Sequence, residues 1–535
     1  MFVSSYEKSK WLILMRMAEE KSLMKIHPTG EPDEDIVEGR AEPTSVDTFA
    51  GKVQVKWMPD SEVSSLGQMA FFIEFLKTSG LLENWIEDCP LKYTSPNAPQ
   101  ARDVLGTVLL SVLAGHWRYA HINAIRGDGV NAQLLGMRKV VSEDSVRRAM
   151  IAMNKAAADQ WLKKHLKASY APLLEEPWAL DIDTTVKVLY GHQEDAKVGY
   201  NPAKPGRPSH AYHSYFIGNL RIVLDVEVQA GNQTASSFGQ QELWTFLEGL
   251  PPLNRPTFLR GDCGWGNERV LKGCQERQLG YVFKLKQSPN VKKLIGKLFA
   301  QDGWADAGQG WQGLVSKLRL EGWSLERRVV VLRRALKQEV AEKKSKRKSK
   351  QMTLDLGTEA HQGVEYEYAV LVTTMLDEVR TIAQHYRDRG DSENNFDELK
   401  NQWGWAGFTT HDAKRCQIMA RINALVYNWW NIFMRLGIPE KHVEAITSRP
   451  LALQGIARLT RHANQTTVEI TSTHSKAPLI TEILNKVSAF LKCLRTSAEQ
   501  LTQPDRWRLI LSKAYQAFLQ GKILGPPLTL AENTF

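Results

Sequence analysis

The segment from Tyr386 to Lys400, YRDRGDSENNFDELK, places several charged side chains on one face of a predicted helix. Because each residue of an α-helix turns the chain by about 100°, Tyr386, Arg389, Glu393 and Lys400 fall within a stripe roughly 60° wide. A phenol, two cations and a carboxylate on one stripe could bind a phosphodiester together with a divalent cation. A solvated helix with ordinary ion pairs would show the same charges, and Gly390 could either break this helix or begin it.

The composition and charge of the chain limit the classes of protein to which it can belong. Its 535 residues, 43% hydrophobic and 24% charged, predict about three globular domains. The net charge of +10 favours a polyanionic partner such as nucleic acid. Its five cysteines form no CxxC pair, which disfavours structural zinc and disulfides and fits a reducing cytoplasm. No segment is apolar for long enough to predict a membrane span or a convincing targeting signal.

The pattern of apolar residues changes several times along the chain. We predict six segments: an N-terminal segment and linker (1–50), a helical domain (51–170), the first part of an α/β domain (171–299), a β-rich insertion (300–362), the second part of the α/β domain (363–440) and a helical C-terminal domain (441–535).

Two short helices predicted in the first helical domain could form a helix-turn-helix that reads DNA. Gly136 would close the first helix, and Ser142 is a good N-cap for the second. Arg147 and Arg148 on the second helix would then contact DNA. A plain helical bundle with a basic surface explains the same residues.

Three acidic residues lie on separate predicted elements of the α/β domain. Asp183 lies on the strand predicted by the alternation in Trp178–Val186, and Asp262 follows the strand predicted at Pro256–Leu259. The C-terminal end of such a strand is where α/β folds bind ligands. Together with Glu393, these carboxylates favour Mg²⁺ or Mn²⁺ over zinc, provided that the fold brings them together.

The β-rich insertion combines tryptophans with many cations. Trp304, Trp311 and Trp323 could stack unpaired bases, although core or hairpin packing is the simpler and commoner role for such residues. The basic run Lys343–Lys350 is typical of a solvated loop that can also contact phosphates.

These residues together resemble the DDE transposases of bacterial insertion sequences, in the cut-and-paste branch of the IS-four and IS-thirteen-eighty-like elements. The Tyr-(2)-Arg-(3)-Glu-(6)-Lys signature of that branch stands as Tyr386, Arg389, Glu393 and Lys400. Its first acid lies in Asp-Thr-Thr, as residues 183–185 do here, and its second in Arg-Xaa-Asp-Xaa-Gly, as residues 260–264 do. The resemblance covers about residues 100–480, and Asp181 is a rival for the first acid.

The resemblance implies an RNase H-like catalytic domain with a β-rich insertion, flanked by helical N- and C-terminal domains. It implies two Mg²⁺ or Mn²⁺ ions per site, held by Asp183, Asp262 and Glu393. Tyr386, Arg389 and Lys400 would then hold phosphates, and Trp323 would stack a flipped base.

The implied substrate is double-stranded DNA, namely the terminal inverted repeats of the element and the target. A homodimer would hold two element ends and excise the element through a DNA hairpin, in the cytoplasm and at the nucleoid. Two alternatives remain open at this point. One is a DNA nuclease of the same fold that does not join strands, and the other is a non-catalytic DNA-binding regulator derived from a transposase.

Overall fold

The computed structural model describes residues 43–58, 61–93, 95, 97–201, 204–233, 239–336, 360–361, 364–497 and 501–525. The chain divides into two compact units, Met1–Ser61 and Glu62–Phe535. In the first unit, β1 (Thr44–Thr48) and β2 (Gly51–Val55) form an antiparallel hairpin. The linker predicted for the end of residues 1–50 therefore contains a paired strand. The helix predicted near the N-terminus lies outside the described residues.

Helices surround a central sheet in the second unit. They are α1 (Met69–Ser79), α2 (Leu81–Glu87), α3 (Ala101–Leu113), α4 (Gly129–Leu134), α5 (Glu143–Ala152), α6 (Lys155–Tyr170), α7 (Gln240–Glu248), α8 (Glu268–Glu276), α9 (Pro289–Phe299), α10 (Val379–Arg387), α11 (Gly390–Asn401), α12 (Ala413–Gly437), α13 (Ala445–Ala452), α14 (Ala477–Thr496) and α15 (Gln503–Ala514). Short 3-10 turns occur at Tyr119–Ile125, Ala171–Glu175, Gly218–Leu220 and Pro252–Asn254.

The strands of the second unit form a large mixed sheet and a small one. They are β3 (Val63–Ser64), β4 (Ala179–Val188), β5 (Lys197–Val198), β6 (Pro208–Ile217), β7 (Ile222–Ala230), β8 (Phe258–Gly261), β9 (Gly280–Lys284), β10 (Ala305–Gly308), β11 (Trp311–Leu318), β12 (Arg327–Ala335), β13 (Ala360–His361), β14 (Val364–Thr373), β15 (Ile456–His462) and β16 (Gln465–Thr471).

Among the described residues, the large sheet has eleven strands in the order β10-β11-β12-β14-β9-β8-β4-β6-β5, with β7 also paired to β6 and β13 to β14. Only β4, β8 and β9 pair in parallel, and the other described pairs of this sheet are antiparallel. The strands of the predicted insertion continue this sheet, because β12 pairs with β14 and β14 pairs with β9. The basic run Lys343–Lys350 lies outside the described residues.

Helix α12 joins the helices to the sheet. It is buried along almost its whole length, as its apolar sequence predicts, and it contacts β7, α6 and α15. Its Arg421 is fully buried and pairs with Asp225 (Nε to Oδ1, 2.9 Å), Asp159 and Glu227. The predicted N- and C-terminal helical domains therefore pack on one shared helix.

The C-terminal region is not wholly helical. Strands β15 and β16 form a hairpin that pairs with β3, which the sequence did not predict. Its two-residue turn, Ala463–Asn464, has φ values of 47° and 62°. Such a turn is usually signalled by glycine or by paired Asn and Gly, and this turn lacks glycine.

The structure favours a plain bundle over a helix-turn-helix. Helix α4 is separated from α5 by residues 135–142, which is longer than the three- or four-residue turn of that motif. Ser142 is the N-cap of α5, as predicted, since its side chain accepts a hydrogen bond from Ser145 N (3.3 Å). No helix among the described residues has the length and apolar character needed to cross a membrane.

Candidate active site

The three predicted acids come from three adjacent elements. Asp183 lies in the middle of β4, Asp262 directly follows β8, and Glu393 lies in the first turn of α11. Strands β4 and β8 run parallel with Ile182 opposite Gly261, so the following residues, Asp183 and Asp262, lie side by side in sequence register. The charges of Asp262 and Glu393 both act on the pKa of Asp183, which puts all three within one electrostatic environment.

Asp183 is the most buried of the three acids. Its residue is 9% exposed, and its Oδ1 accepts a hydrogen bond from Thr184 N (2.7 Å). Burial raises the pKa of Asp183 to about 6, the neighbouring Arg389 opposes that rise, and the Asp262 and Glu393 charges add to it. A buried carboxylate of this kind requires a cation to stay ionised.

Arg389 is the cation that lies between these acids. Its Nη2 pairs with Asp183 Oδ2, and its Nη1 donates to Glu393 Oε1 (2.7 Å). The Glu393 side chain is 67% exposed and that of Asp183 only 12%. Arg389 therefore connects a buried carboxylate to one that faces solvent.

The predicted helix from Tyr386 to Lys400 consists of two parts. Helix α10 ends at Arg387 and α11 begins at Gly390. At the junction, Arg389 N bonds to Tyr386 O (3.2 Å) and Ser392 N to Arg389 O (2.9 Å), which is three-residue spacing. Arg389 and Glu393 remain in contact across this tighter turn.

Tyr386 and Lys400 lie on either side of this pair in sequence. Burial raises the pKa of the Tyr386 phenol, whose electrostatic partners include Arg389, Asp262 and Glu393, so the hydroxyl stays protonated. The Lys400 Nζ donates to Thr185 Oγ1 on β4 (3.2 Å), and burial lowers the pKa of this lysine. Both side chains can therefore donate a hydrogen bond near the acids.

Asp181, the rival first acid, is fully engaged inside the protein. It is 1% exposed and forms a two-pronged ion pair with Arg260, which includes Arg260 Nη2 to Asp181 Oδ2 at 2.9 Å. Asp181 Oδ2 also accepts from Gly218 N (3.0 Å). These contacts assign Asp181 a structural role beside the site.

The predicted base-stacking residue Trp323 is a packed side chain in this structure. It is 6% exposed, and the Arg327 guanidinium lies 4.9 Å from its ring centre. Trp304 and Trp311 are partly buried and lie beneath Arg333 (3.9 Å) and Arg334 (4.8 Å). Hairpin packing, the simpler of the two roles, therefore describes these tryptophans in this conformation.

The two predicted DNA contacts in the helical domain differ in their surroundings. Arg148 is exposed, whereas Arg147 pairs with Asp144 (3.3 Å) and Glu143 (3.6 Å) and lies over the Tyr119 ring (5.3 Å). Arg147 therefore carries a partly neutralised charge.

Sequence reasoning missed the residues that hold α11 in place. Arg221 donates to Asn395 Oδ1 and Asp391 Oδ1 (both 3.1 Å) near the start of the helix. Near its end, the buried Glu398 accepts from Trp403 Nε1 (3.0 Å) and Ala445 N (3.0 Å), and also bonds to the His442 ring (2.6 Å). Acids that point away from the predicted stripe thus orient the helix that carries Glu393.

The donor chemistry of the three acids fits Mg²⁺ or Mn²⁺, which prefer carboxylate oxygens. In the part of the chain that the structure describes, however, no three His, Cys, Asp or Glu side chains are close enough together to form a metal site. Arg389 lies between two of the acids, because its guanidinium contacts both Asp183 and Glu393. Metal binding would require these acids to exchange that contact for the ion.

Comparison with known proteins gives a family and a distant structural likeness. The family described as "Transposase DDE domain group 1" matches residues 61–492. No curated protein matches the sequence significantly. Among solved structures, one similar chain comes from a cryo-EM structure of the piggyBac transposase synaptic complex with hairpin DNA. That likeness has a TM-score of 0.38 and 10% sequence identity, and it covers 84% of this chain and 85% of that chain.

Proposed function

Because the chain belongs to the transposase DDE domain family, group 1, we propose that it is a DNA transposase that cleaves element ends and joins them to target DNA. The observation that carries this proposal is that Asp183 and Glu393 pair with the same arginine, Arg389, while Asp262 follows the strand β8 that pairs in parallel with β4. The strand order β7-β6-β4-β8-β9, antiparallel up to β4 and parallel after it, supports an RNase H-like core.

The three carboxylates would hold Mg²⁺ or Mn²⁺, two ions per site. Bound ions of this kind supply an activated water or 3′-hydroxyl nucleophile and stabilise the leaving oxygen. Asp183 would act together with each of the other two acids, because it is the buried carboxylate whose pKa both of their charges raise.

The phosphates flanking the scissile bond would bind to Tyr386, Arg389 and Lys400. The phenol and the ammonium each donate to a phosphate oxygen, and the guanidinium can form two parallel hydrogen bonds to one phosphate. Arg389 would leave the acids when it takes up a phosphate, so that DNA binding and release of the carboxylates are one event. Trp323 would stack a flipped base only after Arg327 moves off its ring.

The remaining parts of the proposal come from the family resemblance. The substrate is double-stranded DNA at the terminal inverted repeats and the target, a homodimer holds two ends, and excision proceeds through a hairpin. The exposed Arg148, with Arg147, would contact DNA outside the active site. The five unpaired cysteines support action in a reducing compartment such as the cytoplasm, and the resemblance implies action at the nucleoid.

The test is cleavage of DNA that carries the element ends, with Mg²⁺ or Mn²⁺ and full-length protein. Asp183→Asn, Asp262→Asn and Glu393→Gln should abolish strand cleavage and retain DNA binding, because each removes a carboxylate and little else. The matched control is Asp397→Asn, an exposed acid on the same helix, which should retain cleavage.

Retained cleavage in any of the three variants would remove that residue from the site. The same labelled ends, incubated with a target plasmid, separate a transposase from a nuclease. Joined product supports transposition, whereas cleavage without joining assigns a nuclease. Binding without either product assigns a regulator.

A further inference from the structure

Two adjoining clefts run along the C-terminal half of β4, starting beside the candidate active site and leading away from it. The first, of about 380 Å³, begins at Thr184, Thr185 and Lys400, beside Asp183. The second, of about 470 Å³, extends to Trp117 and Arg118. They share Val188, Tyr190 and Ala406 as lining residues and together form what is called here the β4 groove. Each cleft is within the size range of small-ligand pockets, which is large enough for a nucleobase.

Exposed aromatic rings are concentrated in this groove. Among the described residues from Glu62 onward, the exposed Phe, Trp and Tyr side chains are Trp117 (54%), Tyr190 (68%) and Tyr200 (79%). All three line the β4 groove. Large aromatic rings usually bury most of their surface, so three open rings in one groove indicate a ligand with flat faces.

The charged side chains that line the groove are all cations. Its lining contains Arg118, Lys400, the partly neutralised Arg147 and the buried Lys187, and no aspartate or glutamate. Lys204 and Arg207 each lie over the Tyr190 ring, 5.6 Å from its centre, and the ring is still 68% exposed. Cations next to aromatic rings are suited to a ligand that combines phosphates with bases.

The groove is held in shape by contacts between its walls. The buried Lys187 of β4 donates to Gly407 O on the segment that follows α11. The next residue, Phe408, donates its N–H to Trp117 O (2.5 Å). Gly407 has to be glycine at this point, because a Cβ there would lie 2.1 Å from Trp117 O. The wall that carries Trp117 is thus tied to the strand that carries Asp183.

We propose that the β4 groove binds an unpaired DNA strand that leads away from the scissile phosphate, with bases stacked on Tyr190, Tyr200 and Trp117. A duplex cannot use these rings, because its base faces are already stacked on one another, whereas an unpaired base has a free π face. From Asp183 to Val188 the strand rises roughly 17 Å, which would correspond to about five nucleotides at the base spacing of duplex DNA. The identification of the strand as DNA rests on the proposed function.

The test is fluorescence anisotropy with full-length protein, without divalent metal, on a labelled single-stranded oligonucleotide of mixed sequence and on its duplex. Tyr190→Ala and Tyr200→Ala should each weaken single-strand binding by roughly 5- to 150-fold, the range expected from lost stacking. Duplex binding should change by less than about twofold, since it depends on phosphate contacts. Tyr190→Phe, which keeps the ring, should bind single strands as the unmodified protein does.

The matched control is Leu253→Ala, a 94% exposed apolar side chain outside the groove, which should leave both affinities unchanged. Equal losses on single strand and duplex, or no loss on either, would overturn the proposal. Thermal unfolding of each variant excludes misfolding. Because no cleavage is measured, the outcome is independent of whether Asp183→Asn abolishes cleavage, so the two proposals can fail separately.

Discussion

Substitution of the two β4 acids should separate a structural residue from a catalytic one. Asp181→Asn leaves the guanidinium of Arg260, a residue 2% exposed, without its counter-charge. Breaking a buried ion pair by removing one partner costs roughly 3–5 kcal/mol. Asp183→Asn removes a carboxylate whose burial already disfavours its charge, and Arg389 keeps Glu393 as a partner. Its cost should be below about 1 kcal/mol.

These costs translate into thermal shifts. The unit Glu62–Phe535, taken as cooperative, has an unfolding entropy of about 1 kcal/mol/K at roughly 2.1 cal/mol/K per residue. Asp181→Asn should therefore lower Tm by about 3–5 °C, and Asp183→Asn by about 1 °C or less. Below its Tm, the first variant should still cleave DNA with Mg²⁺, and the second should not.

A double variant is the control for this interpretation. In Asp181→Asn/Arg260→Gln the unpaired charge is gone, and an amide can still accept from Gly218 N as Asp181 does now. The double variant should recover roughly 1–3 kcal/mol relative to the sum of the single changes. If Asp181→Asn kept the Tm and lost cleavage, the roles assigned to the two acids would be refuted.

Three further predictions concern stability. Arg421→Met should lower the free energy of unfolding by roughly 3–5 kcal/mol, because it leaves buried acids unpaired. The loss should be smaller at pH 5 than at pH 7, because burial already raises the pKa of Glu227. Lys486→Met, which breaks an exposed ion pair, should show no measurable loss of stability in the same thermal scan. Burial lowers the pKa of Lys187 from 10.5 to about 8, so the unfolded state binds the extra proton and stability rises between these values. Lys187→Met removes the cost of burying an ammonium, up to roughly 3 kcal/mol at pH 7, and also loses the hydrogen bond to Gly407 O. The stability of the variant relative to the unmodified protein should therefore fall from pH 7 towards pH 10, and a difference that does not vary with pH contradicts this. Gly273→Ala should lower the free energy of unfolding in urea by roughly 1–3 kcal/mol, because a Cβ would lie 2.3 Å from the Trp244 ring, whereas Gly390→Ala, with open space around it, should not.

Local patterns in the sequence predict much of the fold. The alternation around Asp183 predicts β4, and the cap at Ser142 predicts the start of α5, because both depend on neighbours within a few residues. The spacing of Arg389 and Glu393 predicts their contact for the same reason. The hairpin β15–β16 was missed because its turn lacks the usual glycine signal.

Partners far apart in sequence could not be predicted in this way. Asp391 points away from the predicted stripe, yet it pairs with Arg221, 170 residues earlier in the chain. Asp181 and Asp183 have the same pattern in sequence, and their partners distinguish them: Arg260, 79 residues away, pairs with Asp181, and Arg389, 206 residues away, pairs with Asp183. The burial of Trp323 likewise follows from its packing beneath Arg327 rather than from its basic surroundings in sequence.

The contacts that anchor α11 hold the helix in place and still leave the Glu393 carboxylate able to change its partner. Arg221 holds its first turns and the buried Glu398 holds its last, so the helix axis is fixed at both ends. Glu393, between these anchors, is exposed and contacts Arg389 alone among the described ion pairs. Its carboxylate can exchange Arg389 for another cation without moving the helix, because neither set of anchoring contacts includes Glu393. Tight positioning of the backbone, with a free carboxylate, is what a site that alternates between partners requires.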